Sequence, residues 1–384
     1  MIDFARLLAQ LPDFAAYRQG EAQAHAARLA RATAALTACA RDWEGLAARA
    51  EALPRGPLRG IPLGPPGAAE AAPARPPTVT VVATDGSQIF PDRHVEPACY
   101  LLNVGRVALH YGTAEPPLIA AEPAIRYRQA DLADLAPDDE PSAADFTAEV
   151  VSALRDELEL DWLHRTALGA RRSGRALVAL ADGTLIRWML RGMKNRRLED
   201  RLLARYLEIL SRFQADGLPL ASYVSRPGSA EVVGLLRLFL GEDDEAPGPD
   251  TLRGLHDRHL FEAVLAPGER SALFASRSHV LAHYGEAHRV LAFYLHTGDE
   301  VGRVEVPRWV AEAGFVPLVH AVVLDQARKG GGYPIALQEA HQRAVVRAEE
   351  KEIFYRLLAR CLRERGHPVP TYSGKAASKR APRV

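Results

Sequence analysis

Cysteine is scarce. Cys39, Cys99 and Cys361 are too few and too far apart for a disulfide framework or a CxxC metal pair, so reduced, structural thiols and a reducing compartment are expected. No apolar run reaches the roughly 18 residues that mark a membrane-crossing helix. The opening "MIDFARLLAQ" carries an acid at Asp3 and no basic stretch before an apolar core, so a secretory signal is not expected and the chain reads as cytoplasmic. Net charge is absent too, since 48 Lys and Arg balance 48 Asp and Glu. A chain without an overall field does not gather a polyanion by bulk attraction, so any nucleic acid must be met locally. Also missing are GxxxxGKS/T, GxGxxG after a strand, HExxH and GxSxG, which argues against a phosphate loop, a dinucleotide fold, a zinc protease helix and a hydrolase elbow.

What is present is an ordinary soluble composition, 48% apolar and 25% charged, with length for one large or two ordinary domains. Residues 1–53 are rich in Ala and Leu, and Phe4, Leu7, Leu8, Leu11 and Phe14, then Leu29, Ala32 and Leu36, recur at helical spacing. Such a stripe is covered by the chain's own core, by a second copy or by a partner. Residues 54–77 are dense in Pro and Gly and read as a linker or an extended crossing segment. Residues 78–366 then form the candidate catalytic domain, and 367–384 have the composition of a basic flexible tail.

Within that domain, "TVTVVATDGSQIF" and "YLLNVGRVALHYG" read as adjacent strands, with a third near Pro117–Tyr127. "FTAEVVSALRDELELDWLHRTAL" reads as a helix with Phe146, Val150, Leu154, Leu158 and Trp162 on one stripe, and "RALVALADGTLI" as a buried strand. A helix over Leu198–Phe213, a strand in "PLASYVSRP" and a helix in "SAEVVGLLRLFL" with Ser229 as its N-cap follow. "RVLAFYLHTGDEVGRVEVPRWV" reads as a hairpin entering a helix, and a Gly-rich entry opens one long closing helix. Strands, a crossover helix and a further strand predict an α/β fold with a ribonuclease H-like mixed sheet flanked by helices and an N-terminal helical extension.

Two phrases repeat. "VVATDGSQIF" and "VALADGTLIR" each run a buried strand into Asp-Gly, at Asp85 and Asp182. One Asp-Gly after a strand is a turn signal; two in the same frame bring two carboxylates together if their strands are neighbours. Acids at strand ends are rigid and partly desolvated, suited to a hard cation, and paired cations held by such acids serve in-line displacement at phosphorus. A third acid is expected from the intervening helix, where "RDELELDWL" offers Glu159, preferred one turn after Arg155, with Glu157 open and Glu149 and Asp161 less favoured. In "KGGGYPIALQEAHQRAVV", Tyr333 and His341 lie about two turns apart and share a helix face. His341 as a ligand favours Mn²⁺ over Mg²⁺, because imidazole is softer than carboxylate. "RWMLRGMKNRRLEDR" offers Arg191, Arg196 and Arg197 as local contacts for DNA, although a solvated helix face has the same composition.

Taken together, "VVATDGSQIFPDRH", "LVALADGTLI", "ASYVSRPGSAEVVGLLR", "PGERSALFASRS", "FYLHTGDEVGRVEVPRWV" and "DQARKGGGYPIALQEAHQRAVV" resemble the NurA nuclease family over about Thr78–Arg347. The resemblance implies a ribonuclease H-like domain and a Mn²⁺-dependent 5′–3′ DNA exonuclease with single-strand endonuclease activity. It also implies a homodimer and a hexameric HerA-type ATPase as partner in DNA end resection for double-strand break repair. Carried over by motif, Asp85, Glu159, Asp182 and His341 are the metal ligands, and Tyr333 helps seat the strand.

Two rival readings stand beside it. Paired carboxylates also serve glycosidases, which need no metal. A non-catalytic DNA-holding adaptor of a motor has no use for acids at two strand ends.

Overall fold

The computed structural model describes residues 3–53, 58–90, 99–127, 148–188, 196–242 and 250–367. Arg191, Phe146, residues 136–145 and nearly all of the basic tail lie outside them. The chain divides into two compact units, Met1–Ala74 with Tyr223–Ala311, and Arg75–Ser222 with Glu312–Val384.

The second unit carries the repeated Asp-Gly phrases. Its first strand, Val79–Ile89, pairs antiparallel with Tyr100–Tyr111, which pairs antiparallel with Leu118–Arg126. The fourth strand, Ala176–Asp182, lies parallel to the first on its other side, reached through the crossover helix Ala148–Ala170. A fifth, beginning at Leu220, follows the fourth. An antiparallel three-strand meander with further strands added beside its first member is the ribonuclease H-like order. Val79, Val81, Val82 and Ala83 are all fully buried, as a strand covered on both faces requires.

Helices supply that cover. Successive strand residues face opposite sides, so Gly86 faces the crossover helix while Asp85 and its partner Gly105 face the helix Ile335–Ala344. Gly105 matters because a Cβ there would fall 2.6 Å from the Ala344 backbone nitrogen; its absence lets that helix lie directly on the sheet. In the crossover helix the deepest apolar positions are Val150, Val151, Leu160, Leu163 and Ala167, so of the expected stripe Val150 is buried, while Leu154 and Leu158 are partly buried beside Tyr100 and Leu102.

Three local expectations are corrected. The first strand does not end on Asp85-Gly86 but continues to Ile89, because the second strand pairs with it all the way to Ile89↔Leu101. The closing segment is two helices, Ile335–Ala344 and Ala348–Glu364, because Asn103 Nδ2 donates to the carbonyls of Arg343 (3.2 Å) and Ala344 (2.8 Å) and Ser87 Oγ donates to Ala344, which halts the helical ladder. Ser229 is not the N-cap of Glu231–Leu240. That place is Ala230's, and the buried Asp257 carboxylate accepts from the backbone N–H groups of Glu231, Val232 and Val233 at 2.8–3.0 Å.

Asp257 belongs to the first unit, whose spine is the hairpin Val290–His296 and Val301–Pro307. It shares a buried network with Glu231, Arg303 and Glu305, in which Arg303 Nε meets Glu305 Oε1 at 2.8 Å and Tyr294 donates its hydroxyl to Asp257. The described part of the Pro- and Gly-rich segment is an extended crossing piece: Ile61–Pro62 pair with Phe274–Ala275, and Ala69–Ala71 with Glu269–Ser271. The N-terminal stripe is split. Ala32, Leu36 and Cys39 are buried, whereas Phe4, Leu7, Leu8, Leu11 and Phe14 are exposed. No helix among the described residues is long and apolar enough to cross a membrane. Cys39 and Cys99 are buried and Cys361 exposed, all free, and burial pushes the Cys39 thiol up to about 11.

Candidate active site

The parallel ladder between the first and fourth strands ends at Thr84↔Ala181. Asp85 and Asp182 are the next residue on each, so the two phrases meet side by side where the strands stop pairing. Their glycines serve different purposes. Gly183 takes a left-handed φ of +72°, which turns the chain sharply, and its N–H donates to Asp182 Oδ1 at 2.9 Å. Gly86 has no such backbone demand but stands where a Cβ would lie 2.8 Å from Glu159 Cγ.

Glu159 reaches this place from the crossover helix, whose carbonyl at the same residue accepts from Thr84 Oγ1 at 3.0 Å. Its side chain is only 16% exposed, and its carboxylate lies 3.0 Å from Arg155 Nε. Burial, reinforced by the neighbouring Asp156 and Asp85 charges and opposed by Arg155, pushes Glu159 up to about 8. Arg155 also donates to Gln88 Oε1 at 3.1 Å and to Asp156 Oδ1 at 2.7 Å, and Arg187 meets the other Asp156 oxygen at 2.8 Å.

The other face of the sheet contributes an imidazole. His341 Nδ1 is 2.6 Å from Asp85 Oδ2. Against a carboxylate, which accepts, Nδ1 is the donor, and in the neutral ring that leaves the Nε2 lone pair for a cation. Tyr333, expected on one helix face with His341, instead precedes that helix, which starts at Ile335 after Pro334, and donates its hydroxyl to Asp182 Oδ1 at 2.7 Å. Asp85, Glu159, Asp182 and His341 all line one cleft of about 490 Å³. Among the described residues no three His, Cys, Asp or Glu side chains are already gathered as a metal-holding set. Arg155, Tyr333 and His341 instead take carboxylate oxygens of Glu159, Asp182 and Asp85.

The NurA domain model matches residues 79–346. The chain belongs to the NurA family. A crystal structure of the NurA nuclease from Sulfolobus solfataricus is similar at 17% identity and a TM-score of 0.49, over 76% of this chain and 87% of that one. A second NurA crystal structure is similar at 12% identity and a TM-score of 0.40, over 75% and 90% of the two chains. Thermus thermophilus RuvC is similar at 16% identity and a TM-score of 0.17, over 45% and 87%. No curated protein matches the chain.

The five residues named from sequence, Asp85, Glu159, Asp182, Tyr333 and His341, fall inside the NurA domain and converge on this cleft or on its carboxylates. Glu157, the other choice on the helix, also lines the cleft but is ion-paired to Arg205 at 2.6 Å. Arg196 and Arg197 sit exposed at the start of the helix Arg196–Ala215, Arg196 pairs with Glu199 at 2.9 Å, and neither lines the cleft. Sequence reasoning missed Asp156, Arg187, Gln88 and Trp188. Asp156 had a usable signal, since three residues before Glu159 is the same helix face.

Proposed function

We propose that this chain is a metal-dependent DNA nuclease that hydrolyses phosphodiester bonds, acting as a 5′–3′ exonuclease and a single-strand endonuclease. The observation that carries the reading is the meeting of Asp85 and Asp182 at the end of one parallel ladder, with Glu159 in the same cleft and His341 on Asp85. Three carboxylates and an imidazole form a donor set that fits Mn²⁺, with Mg²⁺ as the alternative. The raised Glu159 supports this fit, because a buried acid among other acids holds its charge readily only beside a cation. A divalent cation there neutralises charge developing on the phosphodiester and makes water more acidic.

The chain's own residues prepare that chemistry. Arg155 and Arg187 hold Asp156, and Arg155 holds Glu159, so the acids stay gathered despite their mutual repulsion. Tyr333 fixes the rotation of the Asp182 carboxylate, and Asp85 holds the His341 ring through Nδ1, which leaves Nε2 as the ring's other nitrogen for a cation. Zero net charge suits an enzyme to which a HerA-type hexameric translocase delivers DNA during end resection. The exposed Phe4, Leu8, Leu11 and Phe14 supply an apolar face for a homodimer or that motor.

The test is degradation of 5′-labelled single- and double-stranded DNA with Mn²⁺, Mg²⁺ or EDTA, by the wild type, Asp85→Ala and Asp182→Ala. Cleavage that needs the cation and falls on the order of 100-fold or more in both variants is expected. Cleavage that survives EDTA, or an unaffected Asp85→Ala, refutes the reading. Product length against time from the labelled 5′ end reads polarity, and the same reactions with the translocase added read the partnership.

A further inference from the structure

One wall of the cleft takes no part in the acid cluster. Ile186, Leu202 and Tyr206 back it and are almost fully buried, and Trp188, 43% exposed, is its open surface. Folding does not account for an indole left this open beside buried aliphatic side chains, since its burial contributes to stability only in proportion to the area removed from water. Nor is the indole on a loose strand of chain. Ile186 N–H donates to Thr184 Oγ1 at 3.0 Å, Tyr206 donates its hydroxyl to the Leu185 carbonyl at 3.2 Å, and Trp188 N–H donates to the Ile186 carbonyl at 3.0 Å. Arg187 lies 4.4 Å above the Tyr206 ring and is tied to Asp156, which braces the same segment from the acid side.

This wall offers a flat aromatic face within the cleft that holds the carboxylates. A volume of about 490 Å³ suits a small ligand and not a duplex. Tyr206 is buried beneath the Arg187 guanidinium with its hydroxyl on the Leu185 carbonyl, so the aromatic ring open to the cleft is the indole of Trp188. Resting on the nuclease reading above, we propose that Trp188 and this wall form a seat for one unpaired nucleobase of the strand being cut, stacked on the indole without base preference. The strand then enters the acid cluster one nucleotide wide, and a base pair must open first.

The experiment uses the full chain in EDTA, where binding is read apart from cleavage, and thymidine oligonucleotides carrying one 2-aminopurine stepped along the strand. Wild type quenches 2-aminopurine at one position. Trp188→Ala loses that quench and binds about tenfold more weakly, while Trp188→Phe keeps most of both. An oligonucleotide abasic at that position binds wild type and Trp188→Ala alike. Equal affinity and quench in wild type and Trp188→Ala, equal quench by closed duplex, or no quench in wild type overturns the seat. Parallel Mn²⁺ reactions on the same strands separate the two ideas: cleavage with no Trp188 effect on binding refutes the seat alone, and a Trp188-dependent quench with no cleavage in any metal refutes the nuclease reading.

Discussion

Replacing Gly86 with alanine tests the site through a single methyl group. Gly86 lies inside a strand with no left-handed φ, so the backbone accepts alanine, and removing a strand glycine favours folding by about 0.5–1 kcal/mol. The methyl group, however, falls 2.8 Å from Glu159 Cγ and 2.9 Å from Arg155 Cγ. Carbon atoms rest at about 3.5–4.0 Å, so Glu159 must retreat by roughly 0.7 Å or more. It has little room, because Arg155 is itself tied to Gln88 and Asp156. Overpacking of this kind costs about 1–3 kcal/mol, more than the backbone gain, and a misplacement near 1 Å costs about 100-fold in rate, so Gly86→Ala is expected to stay folded with a melting temperature somewhat below wild type and to lose about 100-fold in kcat/KM on single-stranded DNA with Mn²⁺. Glu159→Asp, shorter by one methylene, added to Gly86→Ala should recover part of that loss. Activity within threefold of wild type in the folded single variant refutes the placement of Glu159 among the acting carboxylates.

Two further outcomes follow from the electrostatics. Glu159 keeps its proton in the folded chain up to about 8, whereas the unfolded chain releases it near 4.5, so without metal the folded state loses stability as pH rises through that window. Glu159→Gln, which carries no titrating proton, should remove the slope. In EDTA it should melt with wild type at pH 5 and above it at pH 8.5; a wild type that melts higher at pH 8.5 refutes the account. In the first unit, Asp257→Ala leaves three helix N–H groups without their acceptor and removes a carboxylate from the Arg303 network. Urea unfolding should show a loss of about 3–5 kcal/mol, and a loss under 1 kcal/mol would contradict the capping role.

Much of the site was legible where chemistry repeats in the chain. Asp85 and Asp182 stood out because the same strand-then-acid phrase occurs twice, and strand adjacency did the rest. Tyr333 and His341 have no periodic signal of their own, and they were readable through motif likeness. Asp156 was passed over because an acid beside an arginine on a helix reads as a solvated pair, and only the sheet packed beneath reveals that the pair faces inward. Trp188 was hidden inside a basic stretch whose charges suggested a wet helix face. The break after Ala344 was illegible: "RAVVRA" holds neither Pro nor Gly, and its cause is Asn103, 241 residues away. Asp257 capping a helix that starts 26 residues earlier was hidden for the same non-local reason.

The span between Asp85 and His341 is 256 residues. Synthesis proceeds from the N-terminus, and the acids of both strands emerge well before the imidazole that bonds to one of them. Under the proposed roles, a half-made chain has its carboxylates but no finished centre, and activity is confined to molecules whose translation is nearly done.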